Sequence, residues 1–412
     1  MNPLRKIVGI VLVLLLPLGV RGQALLPVVE KEMTVAERNA AQGFNDTIDR
    51  LDPDFVKVSL VVSEPGDILY SVLGHACLHL QCPTFGLDYI FTYESEGVSG
   101  KVLRFLMNDL NMGMMSLSMN DYLQPFYEAG RGVKEYRLNL PPEVESELWR
   151  MCDERVGQGL YLEYDPVKRG CAISVVHSVE DAIRSANEMT GSTYRIVYPK
   201  WGDKSNRTIR EIFYDNAAKG WGLFWCMTMV SGRYVDNPDI PEEEKLIAPF
   251  ELLERWQVAT INGFPIITEE PVVLAPSVKQ CKGERFSPIM FALLIFVLSL
   301  IGMFAKHNYL DYALLSIYTL FSLLITYMLV FPSMPNTEWN WLFIPFNILP
   351  TILWHWRRYW ALPYAGIIVI WCIGMLCAPH RLVEYAHIIL ALSFCVLLLK
   401  QSPVLSLLHS KK

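Results

Sequence analysis

Two short strings carry the residue types that could do covalent chemistry. One is Lys168-Arg169-Gly170-Cys171-Ala172, where a loop meets a segment with Ile173, Val176, Val179 and Ile183 at helical spacing. A cysteine at a helix N-terminus lies beside unpaired backbone N–H groups and a partial positive charge, and both stabilise a thiolate. Lys168 and Arg169 add positive charge nearby. The same N–H groups can hold the oxyanion of a tetrahedral intermediate. The plainer alternative is a small buried cysteine where a helix packs on a sheet.

The other string is Leu73-Gly74-His75-Ala76-Cys77-Leu78-His79. In a strand, His75, Cys77 and His79 share one face. His75 is then placed to act as base for a thiol on a facing helix, the pairing that makes a weak nucleophile ready at neutral pH. Cys77 is a rival nucleophile, but mid-strand it has no helix terminus to lower its pKa. A Cys77–Cys82 disulfide and a His75/His79 metal site are lesser alternatives. Tyr93 and Glu94, on the following strand, are both candidates to orient the imidazole. Pro65-Gly66-Asp67 is a turn that either shapes one rim of a cleft or is plain surface.

These residues need a scaffold, and residues 23–264 read as an α+β domain. Val56–Val62 alternates as a strand, Gly74–Leu80 and Tyr89–Tyr93 follow, and Pro83, Gly86 and Asp88 mark the turn between those two. Tyr136–Leu140 is a further short strand. Pro142 opens a helix with Val144, Leu148, Met151 and Cys152 on one face. Residues 172–186, 207–214 and 249–261 also have helical patterns. Residues 265–285, with Pro265, Pro271 and Pro276, read as an extended linker.

After Arg285 charged residues become sparse. Phe286–Ala305, Tyr309–Phe331, Leu342–Trp354, Leu362–Cys377 and Leu382–Leu399 are five candidate membrane spans within 286–400, and the third holds Pro345 and Pro350. Lys306, Arg357, Arg358, Lys400, Lys411 and Lys412 fall on one side of this arrangement and Arg381 on the other. That places the N-terminal domain outside and the 401–412 tail in the cytoplasm. Glu338, Trp339, Asn340 and Trp341 lie at the outer end of the third span, as an interfacial anchor or as a polar cluster that presents lipid head groups. Residues 1–22 have the form of an export signal, with Arg5 and Lys6 before an apolar run.

Of nine cysteines in 412 residues, six precede the apolar tail, and no CxxC pair marks a structural zinc site. A net charge of −6 argues against a nucleic-acid binder, which needs a basic face.

Glu64-Pro65-Gly66-Asp67, Tyr70-Ser71-Val72-Leu73-Gly74-His75-Ala76, Cys82-Pro83 with Asp88-Tyr89, and Arg169-Gly170-Cys171-Ala172 together resemble the exported domain of the Lnb-type lipoprotein N-acyltransferases of Gram-negative bacteria. The tail, with Thr337-Glu338-Trp339-Asn340, resembles the five-helix segment of that family. The resemblance implies a circularly permuted papain-like domain, in which the His75 strand precedes the Cys171 helix, followed by a helical transmembrane bundle. It implies a thiol acyltransferase in the bacterial inner membrane with its N-terminal domain in the periplasm. The acyl donor would be a phospholipid and the acceptor a lipoprotein, with no cofactor and no metal. Many relatives have Asn before the cysteine where this chain has Gly170, which leaves the oxyanion to backbone N–H groups or marks a different acceptor. A membrane-tethered cysteine peptidase or amidase shares the same dyad. A binding module with a structural cysteine, and a transporter with an exported cap, are further alternatives.

Overall fold

The computed structural model describes residues 55–66, 71–95, 111–159, 161–165, 167–216, 232–279, 286–305, 308–330 and 340–402. The expected export signal, Asp67, Tyr70, Cys226, Cys281, Lys306, Thr337–Trp339 and the C-terminal lysines lie outside them. The chain forms two compact units. One holds residues 24–218 and 237–282, and the other holds 283–412 with 1–23 and 219–236.

The first unit is mixed α/β. Its elements are β1 (Lys57–Ser63), β2 (His75–Cys82), β3 (Leu87–Ser95), β4 (Asn111–Leu117), α1 (Met119–Ala129), β5 (Val133–Arg137), α2 (Pro142–Gln158), β6 (Tyr161–Glu163), α3 (Cys171–Thr190), β7 (Ile196–Val197), α4 (Ile209–Asn216), α5 (Pro249–Val258), β8 (Thr260–Ile261), β9 (Phe264–Pro265) and β10 (Val272–Ala275). Seven strands form one antiparallel sheet in the order β10-β5-β1-β2-β3-β4-β6, so β2 is central. The strands β7, β8 and β9 form a small second sheet.

Both faces of the large sheet are covered, and β1 and β2 are buried over nearly their whole length. On one face, Val61, Cys77, Ile90 and Leu117 pack with Tyr122, Leu123 and Phe126 of α1. On the other, Phe91 meets the Trp149 ring of α2 edge-on at 5.9 Å, and Tyr93 reaches Ser178 of α3. The helix α3 buries Ile173, Val176, Val179 and Ile183, the spacing read from the sequence. Full burial of each contributes about 1.5–3 kcal/mol. It stops at Gly191, whose φ of 69° suits a residue without Cβ.

Some boundaries differ from the sequence expectation. The helix expected over 249–261 ends at Val258, and Thr260–Ile261 is strand β8. The extended strand placed at 136–140 runs earlier, as β5. Within the expected linker 265–285, the described part is tied to the domain: β10 pairs with β5, and Tyr127 donates its hydroxyl to the Leu274 carbonyl at 2.6 Å. A short run of β-branched residues between prolines has the composition of an edge strand as well as of a linker, and the pairing partner decides.

The second unit is helical: α6 (Pro288–Phe304), α7 (Tyr309–Val330), a single turn α8 (Leu349–Ile352), α9 (Arg357–Cys377) and α10 (Tyr385–Gln401). Tyr309–Tyr327 and Trp354–Cys377 are long and apolar enough to cross a membrane, and α6 and α10 are shorter apolar helices. Their outer faces expose Leu293, Leu294, Val297, Ile301, Ile367, Ile370 and Ile373, a surface suited to lipid rather than water.

The third expected span is not one helix. Residues 340–356 combine 3₁₀ turns at Trp341–Phe343 and Trp354–Trp356 with the single turn α8, as Pro345 and Pro350 require. The segment still traverses the bundle. Trp360, Tyr364 and Trp371, successively further along α9, donate to the carbonyls of Leu353, Ile344 and Trp341, successively further back. The passes therefore alternate, and Arg357 meets Gln401 at the end where Lys400 pairs with Asp311 at 2.8 Å. Arg357, Arg358 and Lys400 thus collect at one end of the bundle, as the charge pattern implies.

A buried charged cluster lies in the middle of the large sheet. His79 is held between Asp88 (Nε2 to Oδ1, 2.5 Å) and Glu135 (Nδ1 to Oε1, 2.6 Å). Burial disfavours the imidazolium, but hydrogen bonds and charge from both carboxylates outweigh it and raise the His79 pKa. The stabilisation is full below the unfolded histidine pKa of about 6.5 and is lost as pH rises through the raised folded value. His79→Leu should cost about 2–3 kcal/mol, because breaking a buried pair is expensive and the half-exposed Asp88 discounts it. Urea denaturation of the full chain in detergent should show wild type losing stability toward alkaline pH and the variant losing less.

Candidate active site

The β2–β3 ladder runs only from Leu78/Phe91 to Cys82/Leu87. Yet β1 accompanies β2 as far as His75, and β4 accompanies β3 as far as Ser95. The two central strands therefore part at one end of the sheet, and Cys171 sits in the parting. It is the first residue of α3, after Gly170, whose extended backbone (φ −66°, ψ 163°) starts the helix without a side-chain cap. The sulfur is hydrogen-bonded to the His75 imidazole and accepts from the backbone N–H of Ala76. His75 projects to the α1 face of the sheet and α3 covers the opposite face. The sulfur meets the ring through the gap between strands.

On its far side, His75 Nε2 lies 2.7 Å from Thr92 Oγ1 and 3.5 Å from Glu94 Oε1. Thr92 Oγ1 in turn donates to Glu94 Oε1 at 3.4 Å. This resolves the choice between Tyr93 and Glu94. Tyr93 points to the other face, where its hydroxyl meets Ser178 Oγ at 2.9 Å and Arg155 Nη1 at 2.8 Å. Glu94 stands on the imidazole side, but the atom in hydrogen-bond contact with the ring belongs to Thr92, which the sequence did not single out.

Each group favours the charged form of the other. Burial raises the Cys171 pKa, but the charge and hydrogen bond of His75 and the Ala76 N–H overcome it and leave it lowered, against opposition from Glu94. For His75, burial opposes protonation, but the Cys171 thiolate, its hydrogen bond and Glu94 push the imidazole up to about 9, with Arg131 opposing. Lys168 and Arg169 do not take the part expected of them. Both side chains are exposed, and Arg169 Nη1 donates to the Glu163 carbonyl at 2.9 Å.

Each half of the pair is braced by its own loop. Before β2, Gly74 has φ +85°, and a Cβ there would stand 2.5 Å from the Ser63 carbonyl oxygen. The Gly66 and Gly74 N–H groups both donate to the Ser71 carbonyl, at 2.8 and 2.9 Å. Glu64 accepts from the Gly132 N–H at 3.0 Å and the Ser277 hydroxyl at 2.7 Å, and Arg131 Nε donates to the Glu64 carbonyl at 3.0 Å. The Glu64-Pro65-Gly66 string thus fixes the chain that leads into His75. Before α3, buried Asp165 accepts from the Val167 and Lys168 N–H groups at 2.9 and 3.0 Å and turns the chain toward Cys171.

The remaining candidates separate from the site. Cys77 is fully buried, and burial pushes its thiol up despite a hydrogen bond with Tyr122. Cys77 and Cys82 are free thiols on opposite faces of β2. His75 and His79 are each engaged by different partners, and no group of three metal-ligating side chains occurs among the described residues.

Residues 44–200 match the family model described as the Lnb N-terminal periplasmic domain. That stretch, less than half of the chain, contains both His75 and Cys171, and over it the Lnb resemblance holds. No curated protein and no solved structure matches the chain. The match and the apolar helices together mark a membrane protein with a periplasmic N-terminal domain.

Two outcomes are expected of this site. Iodoacetamide labelling of Cys171, followed by peptide mass mapping against pH, should persist well below the ordinary thiol range. His75→Ala should slow it at pH 7 by at least about tenfold, the effect of one pKa unit. Gly74→Ala should cost about 1–3 kcal/mol through forced backbone strain and slow labelling as His75 shifts.

Proposed function

We propose that this Lnb-type chain is a lipoprotein N-acyltransferase that carries an acyl group on Cys171. The observation that supports it best is the hydrogen-bonded Cys171–His75 pair, with the sulfur at a helix N-terminus. The order of the two residues, histidine strand before cysteine helix, supports a circularly permuted papain-like domain.

The reaction has two halves. In the first, the Cys171 thiolate, its proton held by His75, attacks an ester carbonyl of a membrane phospholipid. The tetrahedral oxyanion is stabilised by backbone N–H groups of the first turn of α3, where Gly170 supplies no side chain. The C–O bond breaks, the lysophospholipid alkoxide takes the proton from His75, and a thioester remains. In the second half, the α-amine of a diacylglyceryl-cysteine lipoprotein attacks the thioester. The C–S bond breaks, an amide forms, and His75 takes the ammonium proton as the thiolate is regenerated. No cofactor enters either half.

The membrane helices suit these substrates. Donor and acceptor are both lipid-anchored, and a tethered domain meets them at a high effective concentration. Keeping water from the thioester favours aminolysis over hydrolysis.

The decisive measurement is the mass of a lipoprotein N-terminus from cells in which this chain is the sole candidate transferase. Cys171→Ala should leave the lipoprotein one acyl chain lighter. An unchanged mass refutes the transferase, and amide cleavage of an envelope peptide by the purified protein instead would make it a tethered hydrolase. With labelled phospholipid, wild type should hold a hydroxylamine-labile acyl group on Cys171.

A further inference from the structure

We propose that Thr92 is the positioning residue of this site: its hydroxyl, directed by Glu94, accepts the Nε2 hydrogen of His75 and commits Nδ1 to the Cys171 sulfur. The inference rests on the Cys171–His75 site but not on the identity of its substrate.

The case is one of hydrogen-bond direction. A threonine hydroxyl has one hydrogen to give. Carboxylate Oε1 of Glu94 can only accept, and it receives Thr92 Oγ1 at 3.4 Å. The remaining contact of Oγ1, to His75 Nε2 at 2.7 Å, must then carry the hydrogen of the ring. The opposite arrangement, with Thr92 donating to a bare Nε2, would turn a nitrogen lone pair toward the Glu94 carboxylate 3.5 Å away. That is repulsive, so Nε2 is protonated. In the neutral ring Nδ1 is therefore bare and faces the thiol, and in the ion pair it holds the proton taken from sulfur.

Glu94 cannot do this alone, because its side chain is 35% exposed and water competes for it, whereas Thr92 stands 2.7 Å from the ring. Thr92 is fully buried, so no water substitutes for its hydroxyl. Its place in the fold is equally constrained. It lies on β3 opposite Cys77, just where the β2–β3 ladder ends, so its side chain projects to the same face as His75. Tyr93, one residue on, faces α3 and cannot reach the ring.

The test compares Thr92→Ser with Thr92→Ala, which differ only by the hydroxyl, with Thr92→Val as the shape-matched control. Each is made in the full chain in detergent and first checked for an unfolding temperature close to that of wild type. The readout is the pH profile of Cys171 alkylation. Thr92→Ser should keep the wild-type midpoint. Thr92→Ala and Thr92→Val should raise it by about one unit and slow alkylation at pH 7 about tenfold. If Val disturbs folding, the Ser–Ala pair decides alone. Equal profiles for Ser and Ala overturn the proposal, since a packing role would not distinguish them. Because alkylation needs no lipid, a shifted profile with unchanged lipoprotein mass would uphold Thr92 and sink the transferase.

Discussion

The site depends on the parting of β2 from β3. A continuous ladder would occupy the Ala76 N–H and close the gap through which a sulfur on one side of the sheet meets an imidazole on the other. Full separation of the strands would leave His75 without Thr92. The fold meets both demands by letting β1 hold β2 up to His75 and β4 hold β3 up to Ser95, so each central strand keeps an outer neighbour after losing its inner one. The Ala76 N–H released by the parting is taken up by the sulfur. Gly74 belongs to the same device, since the tight approach to Ser63 that turns the chain into β2 leaves no room for a side chain.

The charges around the pair are balanced rather than uniformly favourable. Glu94 helps His75 stay protonated and hinders Cys171 from ionising, whereas Arg131 disfavours the imidazolium. A thiolate stabilised only by exposed cations would be weakened by salt. Here the partner is a mostly buried imidazole, and the local low dielectric strengthens any charge pairing while making a lone charge expensive. The same low dielectric favours the neutral thiol of Cys77, two residues from His75. Two cysteines close to one histidine thus shift in opposite directions because only one receives a hydrogen bond from the ring and from a backbone N–H.

Much of this was legible in the sequence, and the omissions share a cause. The strand with His75, the helix opening at Cys171 and the apolar helices follow from alternation, helical spacing and Gly or Pro punctuation, all local signals. The partner of the imidazole was not legible, because it depends on register. Thr92, Tyr93 and Glu94 are neighbours in sequence but alternate in face, and only the pairing with β2 says which face holds His75. A buried Thr also looks like any β-branched strand residue. Likewise β10 resembled linker because its partner β5 lies far away in sequence. Lys168 and Arg169 are near Cys171 in sequence, but both are exposed, and the thiolate is favoured by His75 and the Ala76 N–H.

The broken third pass shows how the helical unit accommodates irregular backbone. A segment without continuous helix leaves carbonyls unpaired, and in hydrocarbon each costs several kcal/mol, so such a segment is tolerable only when protein satisfies it. Tyr318 donates to the carbonyls of Pro345 and Asn347, both at 3.0 Å, and Tyr364 donates to that of Ile344 at 2.7 Å. Asn347 accepts from the Leu349 N–H and donates to the Tyr364 oxygen at 2.8 Å. Tyr318 also stacks on Phe394, with ring centroids 3.5 Å apart, so the donor is fixed by packing from its apolar side. The tyrosines and the asparagine therefore supply backbone hydrogen bonds where the helix is broken. This placement requires α7, α9 and α10 to surround the broken segment, which sets the order of the bundle more strictly than hydropathy alone could.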